Sequence, residues 1–108
     1  MTTMSVKSLA DGQLAAAKAT LYTVPALTTA IIKTISYVNT DIAARTVNLY
    51  IKTSVGTSRR IIPNNMTLGV GYMMVYDDEI TLEAADEIEG DADAATVVDF
   101  TINGVEKS

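Results

Sequence analysis

The sequence predicts an all-β protein, built as a single antiparallel β-sandwich of about seven or eight short strands, jelly-roll or immunoglobulin-like in type. Three observations predict this fold. Thr, Val, Ile and Tyr, which favour strands, are concentrated in short apolar runs. Turn residues separate these runs at intervals of about 8–12 residues. The length of 108 residues allows one domain with one modest core.

Two segments show the two-residue period of a half-buried strand. In Arg45–Lys52, the apolar residues Val47, Leu49 and Ile51 alternate with residues that are mostly polar. Val97–Asn103 repeats the pattern with its own alternating apolar residues. In each segment, we expect one face to lie on the core and the other to face solvent.

The remaining strands carry less regular patterns. Ala30–Asn39 is apolar on both faces in places, which is typical of a central strand. Tyr72–Tyr76 is an apolar run of strand length. Weaker strand patterns cover Lys18–Val24, Ser58–Ile62, Ile80–Leu82 and Asp86–Glu89.

Turns and the amino-terminal segment complete the predicted organisation. Ser54–Thr57 is a hairpin loop between two strands, and Ala84-Ala85 is a tight turn. Asp11–Ala19 is rich in Ala, but it is short and contains Gly12, so we expect no helix there. Residues 1–12 are predicted to form an arm ahead of a sandwich domain at residues 13–108.

The composition excludes several kinds of chemistry. The chain has no Cys and no His, which excludes thiolate nucleophiles, imidazole bases and zinc sites of the Cys/His type. It has no Trp and one Phe, so an aromatic sugar-binding cleft is not indicated. No apolar run is long enough to span a membrane. We therefore predict that the protein is not an enzyme, uses no cofactor, and binds neither nucleic acid nor membrane.

The charges are divided between the two parts of the sequence. Residues 1–76 hold seven bases and two acids, for a net charge of +5. Residues 77–108 hold eleven acids and one base, for a net charge of −10. This division arises by chance when halves of a sequence interleave in a β-fold. Alternatively, a basic face of one copy meets an acidic face of another. The candidate interface residues are Arg59, Arg60, Asp77, Asp78 and Glu79.

The acidic run and the arginine pair each allow a second interpretation. The acidic run Asp77–Glu79 has the oxygen ligands that Ca²⁺ uses, but no EF-hand pattern is present. We favour a solvated loop that keeps a sheet edge unpaired. Arg59 and Arg60 are adjacent in a predicted strand, so their side chains point to opposite faces. They form an intersubunit salt bridge or protect an edge strand.

Several segments together resemble a group of small β-sandwich virion proteins of tailed bacteriophages, of the capsid-decoration or tail-accessory type. The chain departs from that pattern at Ala85, where the group usually has Gly in the turn before Asp86. The segments that carry the resemblance are Thr20–Ala26, Ile35–Thr40, Thr46–Ile51, Arg60–Pro63, Leu82–Gly90 and Ile102–Glu106.

The resemblance implies a structural part of a phage particle, made in the cytoplasm of a bacterial host. It implies first a capsid decoration or cement subunit that stabilises the head by bridging neighbouring capsid subunits. The alternative is a neck, tail or fibre-attachment component that binds protein or glycan. Such a glycan module would use exposed tyrosines among Tyr22, Tyr37, Tyr50 and Tyr72. The expected partners are further copies of the chain, first as a trimer, and the major capsid protein or another virion protein.

Overall fold

A computed structural model describes residues 4–108, which form β-strands and connecting turns with no helix. The predicted all-β class is confirmed. Among these residues, no helix is long and apolar enough to cross a membrane. The strands are β1 (Met4–Gln13), β2 (Ala19–Thr23), β3 (Thr29–Asn39), β4 (Arg45–Lys52), β5 (Arg59–Arg60), β6 (Met66–Leu68), β7 (Met73–Tyr76), β8 (Ile80–Leu82), β9 (Glu87–Ala92) and β10 (Val98–Lys107).

The strands form two antiparallel sheets. Sheet A has the order β1-β10-β3-β7, with β8 also paired to β3. Sheet B has the order β2-β9-β4-β5, with β6 also paired to β4. β7 and β8 lie one after the other along β3, and β5 and β6 lie one after the other along β4. If β7 and β8 are counted as one interrupted strand, and β5 and β6 as another, each sheet has four strands. Eight strands in two four-stranded sheets of this order are the arrangement of a jelly roll.

The core lies between the facing sides of the two sheets. Complete burial of a Val, Leu or Ile side chain contributes about 1.5–3 kcal/mol to folding. Val47 and Leu49 are buried, as their alternation predicts, and Ile51 packs at the margin of the core. The largest fully buried side chains are Tyr37, Leu14, Ile32, Ile35, Leu49, Ile88, Ile102, Val24, Val47 and Val98.

The predicted amino-terminal arm is wrong for the residues that the structure describes. Residues 4–12 form most of β1, which pairs with β10 from Met4 opposite Lys107 to Gln13 opposite Asp99. Residues 1–3 lie outside the described residues. The sequence pattern did not reveal β1 because the strand sits at a sheet edge and packs only Leu9 and Ala10 against the core.

One glutamate on β10 links β1 of sheet A to β2 of sheet B. Lys7 Nζ lies 2.8 Å from Glu106 Oε1 on β10. The hydroxyl of Tyr22, on β2 in sheet B, donates a hydrogen bond of 2.5 Å to Glu106 Oε2. These two contacts hold the pKa of Glu106 below its usual value, with Lys7 as the larger cause. At this side of the sandwich, β1 therefore lies over β2.

The stacking of the two sheets also determines which strands lie on the opposite side of the sandwich. Tyr37 on β3 reaches across the core to the main-chain oxygen of Asn48 on β4. Since β1 lies over β2 and β3 over β4, the edge strands β7 and β8 lie on the same side as β5 and β6. We call this the β5–β8 side.

Candidate interaction surface

The predicted acidic residues form a bulge in the middle of an edge. Tyr76 pairs with Ile35, and Ile80 pairs with Ile32. The three residues Asp77–Glu79 therefore stand opposite only two residues of β3, so the extra residue pushes the chain out of the ladder. Glu79 Oε2 lies 2.5 Å from Lys33 Nζ, and both side chains are exposed. We call Asp77–Glu79 the acidic bulge.

Two acids of this bulge are not neutralised within the chain. Asp77 and Asp78 are exposed, and neither forms an ion pair with any residue between 4 and 108. No group of three or more acidic residues in that part of the chain is arranged to hold a metal ion. The bulge thus presents negative charge to solvent and interrupts an edge that another strand would otherwise pair with.

Arg60 is held by its own chain. Its guanidinium lies 4.9 Å from the centre of the Tyr50 ring. Its Nη1 donates a hydrogen bond of 2.5 Å to Asn48 Oδ1 on the outer face of sheet B. A cation over an aromatic ring and a hydrogen bond together fix this side chain. Arg60 is therefore poorly placed to bind a second molecule through its charge.

Of the two arginines predicted to lie at an interface, Arg59 is the one whose charge is not held by its own chain. It is exposed on β5, and its side chain points away from the Tyr50 face because neighbouring residues of a strand face opposite ways. Within residues 4–108 it forms no ion pair. Arg59 and the acidic bulge lie on the same β5–β8 side, but in different sheets and without a contact between them.

An apolar strip adjoins the acidic bulge. Met73 and Val75 of β7 are 57% and 50% exposed, whereas Met74 and Tyr76 pack against the core. In the preceding turn, Val70 is 52% exposed and Tyr72 is 71% exposed. We call Val70, Tyr72, Met73 and Val75 the apolar strip.

The turn before β7 holds Tyr72 in place. Gly71 has a φ of 73°, and the Tyr72 amide donates a hydrogen bond of 3.1 Å to the Gly69 oxygen. The main-chain oxygen of Tyr72 accepts a hydrogen bond from the Asn39 amide. Asn39 is buried, and its Nδ2 donates to the oxygens of Ala43 and Leu68. The loops at this end are therefore fixed by one buried amide side chain.

The outer face of sheet B carries a polar network that the sequence did not reveal. Asn48 Nδ2 donates to Asp91 Oδ1 at 2.7 Å and to Asn65 Oδ1 at 3.0 Å. The Tyr50 hydroxyl donates to Asp91 Oδ2 at 3.1 Å, and Lys18 Nζ lies 4.5 Å from the Tyr50 ring centre. Burial and the Asp91 carboxylate raise the pKa of Tyr50. The network covers Asn48 and Tyr50, which alternation alone predicts to be exposed.

The predicted tight turn at Ala84-Ala85 is confirmed. Ala85 adopts a φ of 70°, the conformation for which Gly is usually required. The buried carboxylate of Asp86 accepts hydrogen bonds from the amides of Glu83 and Ser54. It thereby ties this turn to the predicted hairpin loop between β4 and β5, which is also observed.

The tyrosines proposed for glycan binding are mostly inaccessible. Tyr22, Tyr37 and Tyr50 are buried, so the expectation that they lie on the surface is wrong. Of the four candidates, Tyr72 is exposed. The part of the chain that the structure describes contains no pocket. The exposed features on the β5–β8 side and next to it are the apolar strip, the acidic bulge and Arg59, and Met4 and Val6 of edge strand β1 are exposed as well.

Comparisons with known proteins identify the fold. No protein-family model matches the sequence, and no curated protein matches it. Among solved structures at 13% identity, the acid-stable capsid of Helicobacter pylori bacteriophage KHP30 gives a TM-score of 0.60 over 100% of this chain and 94% of that chain. Infectious bursal disease virus strain Gx gives 0.55 over 99% of this chain. The disulfide-linked pili of Bacillus endospore appendages give 0.54 over 98% of this chain and 85% of that chain.

These likenesses concern the fold. The chain spans about a third (32%) of the infectious bursal disease virus chain, so it corresponds to one part of that protein. It spans nearly the whole of the phage capsid chain. Sandwiches of this kind therefore occur in a phage capsid, in infectious bursal disease virus and in the pili of Bacillus endospore appendages.

Proposed function

We propose that the chain is a bacteriophage virion structural protein, most specifically a capsid decoration or cement subunit. The observation that carries this proposal is the match to a phage capsid structure over 100% of this chain and 94% of that one. A sandwich of this size therefore exists as a chain of a phage capsid, without a further domain of comparable length.

The surface supports an assembly role. The described residues carry an exposed apolar strip and unneutralised charges, and they contain no pocket for a small substrate. A protein of this type acts by burying surface between neighbours. On a phage head, it would bridge neighbouring subunits of the major capsid protein and add contact area to the shell.

The proposed protein also binds copies of itself, first as a trimer, as the resemblance to decoration proteins implies. In the alternative role, as a neck, tail or fibre-attachment component, the same surface would bind another virion protein. Copy number separates the two roles, because a head carries hundreds of decoration subunits and a tail carries far fewer.

Quantitative mass spectrometry of purified particles tests the proposal. We expect the chain in the particle at a copy number comparable with that of the major capsid protein. Removing its gene should leave heads that release DNA at a lower temperature. Absence from purified particles would overturn the virion role, and a count of a few dozen or fewer would replace decoration with the neck or tail role.

A further inference from the structure

We infer that β1 of one copy of the chain pairs with β1 of a second copy, as antiparallel edge strands related by a two-fold axis beside Val6. The contact joins sheet A of both copies into one continuous sheet. This inference rests on the proposed structural role, for which it names the first partner and the strand that binds it. It follows from the open edge of β1, from the apolar side chains on that edge and from the register that they allow.

The free side of β1 is an open strand edge. β1 has ten residues, and among residues 4–108 it pairs with β10 on one side and with no strand on the other. An unpaired edge presents main-chain N–H and C=O groups that another strand can bind. Met4–Ser8 pair with β10 without a break, because the register shifts only after Ser8. This five-residue segment can therefore accept a further strand.

The other edges of the two sheets are interrupted. β2 has five residues, and its pairing with β9 shifts register between Thr20 and Tyr22. β7 and β8 are separated by the acidic bulge, and β5 and β6 by a segment that contains Pro63. Bulges, charges, prolines and short strands are the usual means of keeping a strand edge unpaired. Between Met4 and Ser8, β1 has one such feature, the charge of Lys7.

Lys7 does not protect this edge. Its Nζ lies 2.8 Å from Glu106 Oε1, so its own chain holds and neutralises the charge. The neighbouring side chains of Met4 and Val6 are apolar, and they are 61% and 83% exposed. The open edge of β1 thus lacks an unpaired charge to repel another strand. Since each of the other edges is interrupted, the complementary edge that this chain offers is β1 of a second copy.

A row of apolar side chains on the outer face of sheet A runs to this edge. Val6 pairs with Val105 on β10, and Val105 pairs with Ile31 on β3. Ile31 lies between the core residues Ala30 and Ile32, so by strand alternation the three paired residues lie on the outer face. Val105 has a neighbour on both sides and is 8% exposed, whereas Val6 has one on a single side. A second strand beside β1 would cover the exposed end of the row.

Antiparallel pairing about Val6 suits the faces of both strands. Val6 then lies opposite Val6 of the second copy, and Met4 lies opposite Ser8. Residues directly opposite each other share a face of the sheet, so the apolar row of one copy continues into that of the other. The two-fold axis is perpendicular to sheet A and lies in the plane of contact, between the two β1 strands. Such a contact closes a dimer, in place of the trimer that the resemblance implies.

Charge changes at Val6 test the pairing, because this residue would lie opposite itself. By analytical ultracentrifugation, we expect the unmodified chain to sediment at twice 11.5 kDa at micromolar concentration. Val6→Lys and Val6→Glu should each weaken the dimer at least about tenfold, since like charges then stand directly opposite each other. An equal mixture of the two variants should recover most of the affinity as a mixed dimer. The matched controls Val55→Lys and Val55→Glu should change nothing, because Val55 is 98% exposed in the loop between β4 and β5.

Crosslinking tests the register. The chain has no Cys, so each introduced thiol is the only one. Val6→Cys should form an intermolecular disulfide when diamide is added as the oxidant. Residues directly opposite on antiparallel strands have Cα atoms about 4.5–5.5 Å apart, which is within disulfide range. Ser8→Cys is the matched control on the same strand, because Ser8 lies opposite Met4 of the second copy and its two thiols are too far apart to join. Circular dichroism confirms that each variant is folded.

Several outcomes would overturn the inference. They are a monomer at all concentrations, a dimer that survives both charge changes at Val6, a mixture of the two variants no tighter than either alone, or a trimer. Crosslinking of the Ser8→Cys variant as readily as the Val6→Cys variant would also overturn it. The assays use purified protein and no particle. Absence from virions would therefore remove the proposed function and leave the dimer standing, whereas a monomer would remove only this inference.

Discussion

The hydroxyl of Tyr37 donates a hydrogen bond of 3.0 Å to the main-chain oxygen of Asn48 and so joins the two sheets through the middle of the core. The neighbouring residue that permits it is Gly90. A Cβ at that position would overlap the Tyr37 hydroxyl and crowd the Asn48 oxygen. Burial is the main reason that the pKa of Tyr37 is raised far above its usual value, so the hydroxyl keeps its proton.

Removing the Tyr37 hydroxyl should destabilise the fold without changing it. Tyr37→Phe removes one buried hydrogen bond, which we expect to lower the free energy of unfolding by about 1–2 kcal/mol. Urea denaturation followed by circular dichroism measures this change. Tyr72→Phe is the control, because the Tyr72 ring is exposed and should tolerate the change. Equal stability of the Tyr37→Phe variant and the unmodified chain would contradict the prediction.

Gly90 and Tyr37 should be energetically coupled. Gly90→Ala alone places a methyl group against the Tyr37 hydroxyl and Leu21, so we expect a loss of about 2–3 kcal/mol. In a Tyr37→Phe background the same change should cost less, because one of the overlapping atoms is gone. A double-mutant cycle in urea measures the difference, and strict additivity would show that the overlap is not the cause.

Ala85→Gly should stabilise the protein. The Ala85 φ of 70° is unfavourable for a residue with a Cβ, and Gly relieves this cost. We expect a gain of about 0.5–1 kcal/mol after the higher entropy of unfolded Gly is included. The adjacent change Ala84→Gly is the control, since Ala84 is not in this conformation and should lose stability. Thermal unfolding of both variants tests the pair, and a loss of stability in both would contradict the prediction.

The contacts of Glu106 should make its contribution to stability depend on pH. Its pKa is lowered in the folded chain from a usual value of 4.5. A lowered carboxyl pKa stabilises the folded state above the unfolded pKa, and this stabilisation is lost as the pH falls through the folded pKa. Glu106→Gln should therefore cost stability at pH 7, and the difference from the unmodified chain should shrink below about pH 4.

Hydrogen exchange measures the local consequence of the same change. Glu106 holds Lys7 and Tyr22, so Glu106→Gln should speed exchange in β1 more than in β4. Lys33→Ala is the control, because it breaks an exposed ion pair at the other edge of sheet A. The explanation also requires the stability difference between Glu106→Gln and the unmodified chain to depend on pH. If the free energies of unfolding of the two proteins differ by the same amount from pH 7 to pH 3, the lowered pKa of Glu106 is not the cause.

The alternating segments were predictable from sequence, and the features that depend on distant neighbours were not. Arg45–Lys52 and the core residues of β10 follow a two-residue period that one strand reveals by itself. β1 has no such period, because an edge strand with two core contacts is held mainly by its partner's main chain.

The surface shows the same limit. The acidic run and Arg59 are visible in sequence, but their shared side of the molecule follows from the stacking of β3 on β4. That Arg60 is tied to Asn48, twelve positions earlier in sequence, is equally hidden. The sequence predicted a strand at Met73–Tyr76, but it did not predict that Met73 and Val75 would lie on the exposed face of that strand.

The pairing of β1 with β10 also determines the order in which the chain acquires its structure. Met4 pairs with Lys107, and β3 lies against β10 along most of its length, so sheet A lacks one of its two central strands until β10 has been synthesised. Contacts between residues so distant in sequence form slowly, because a long loop must close before they contribute. On the ribosome, β4 with β5 and β6 can pair early, while β1 waits for its partner. Nascent chains should therefore resist proteolysis only once β10 has emerged from the exit tunnel.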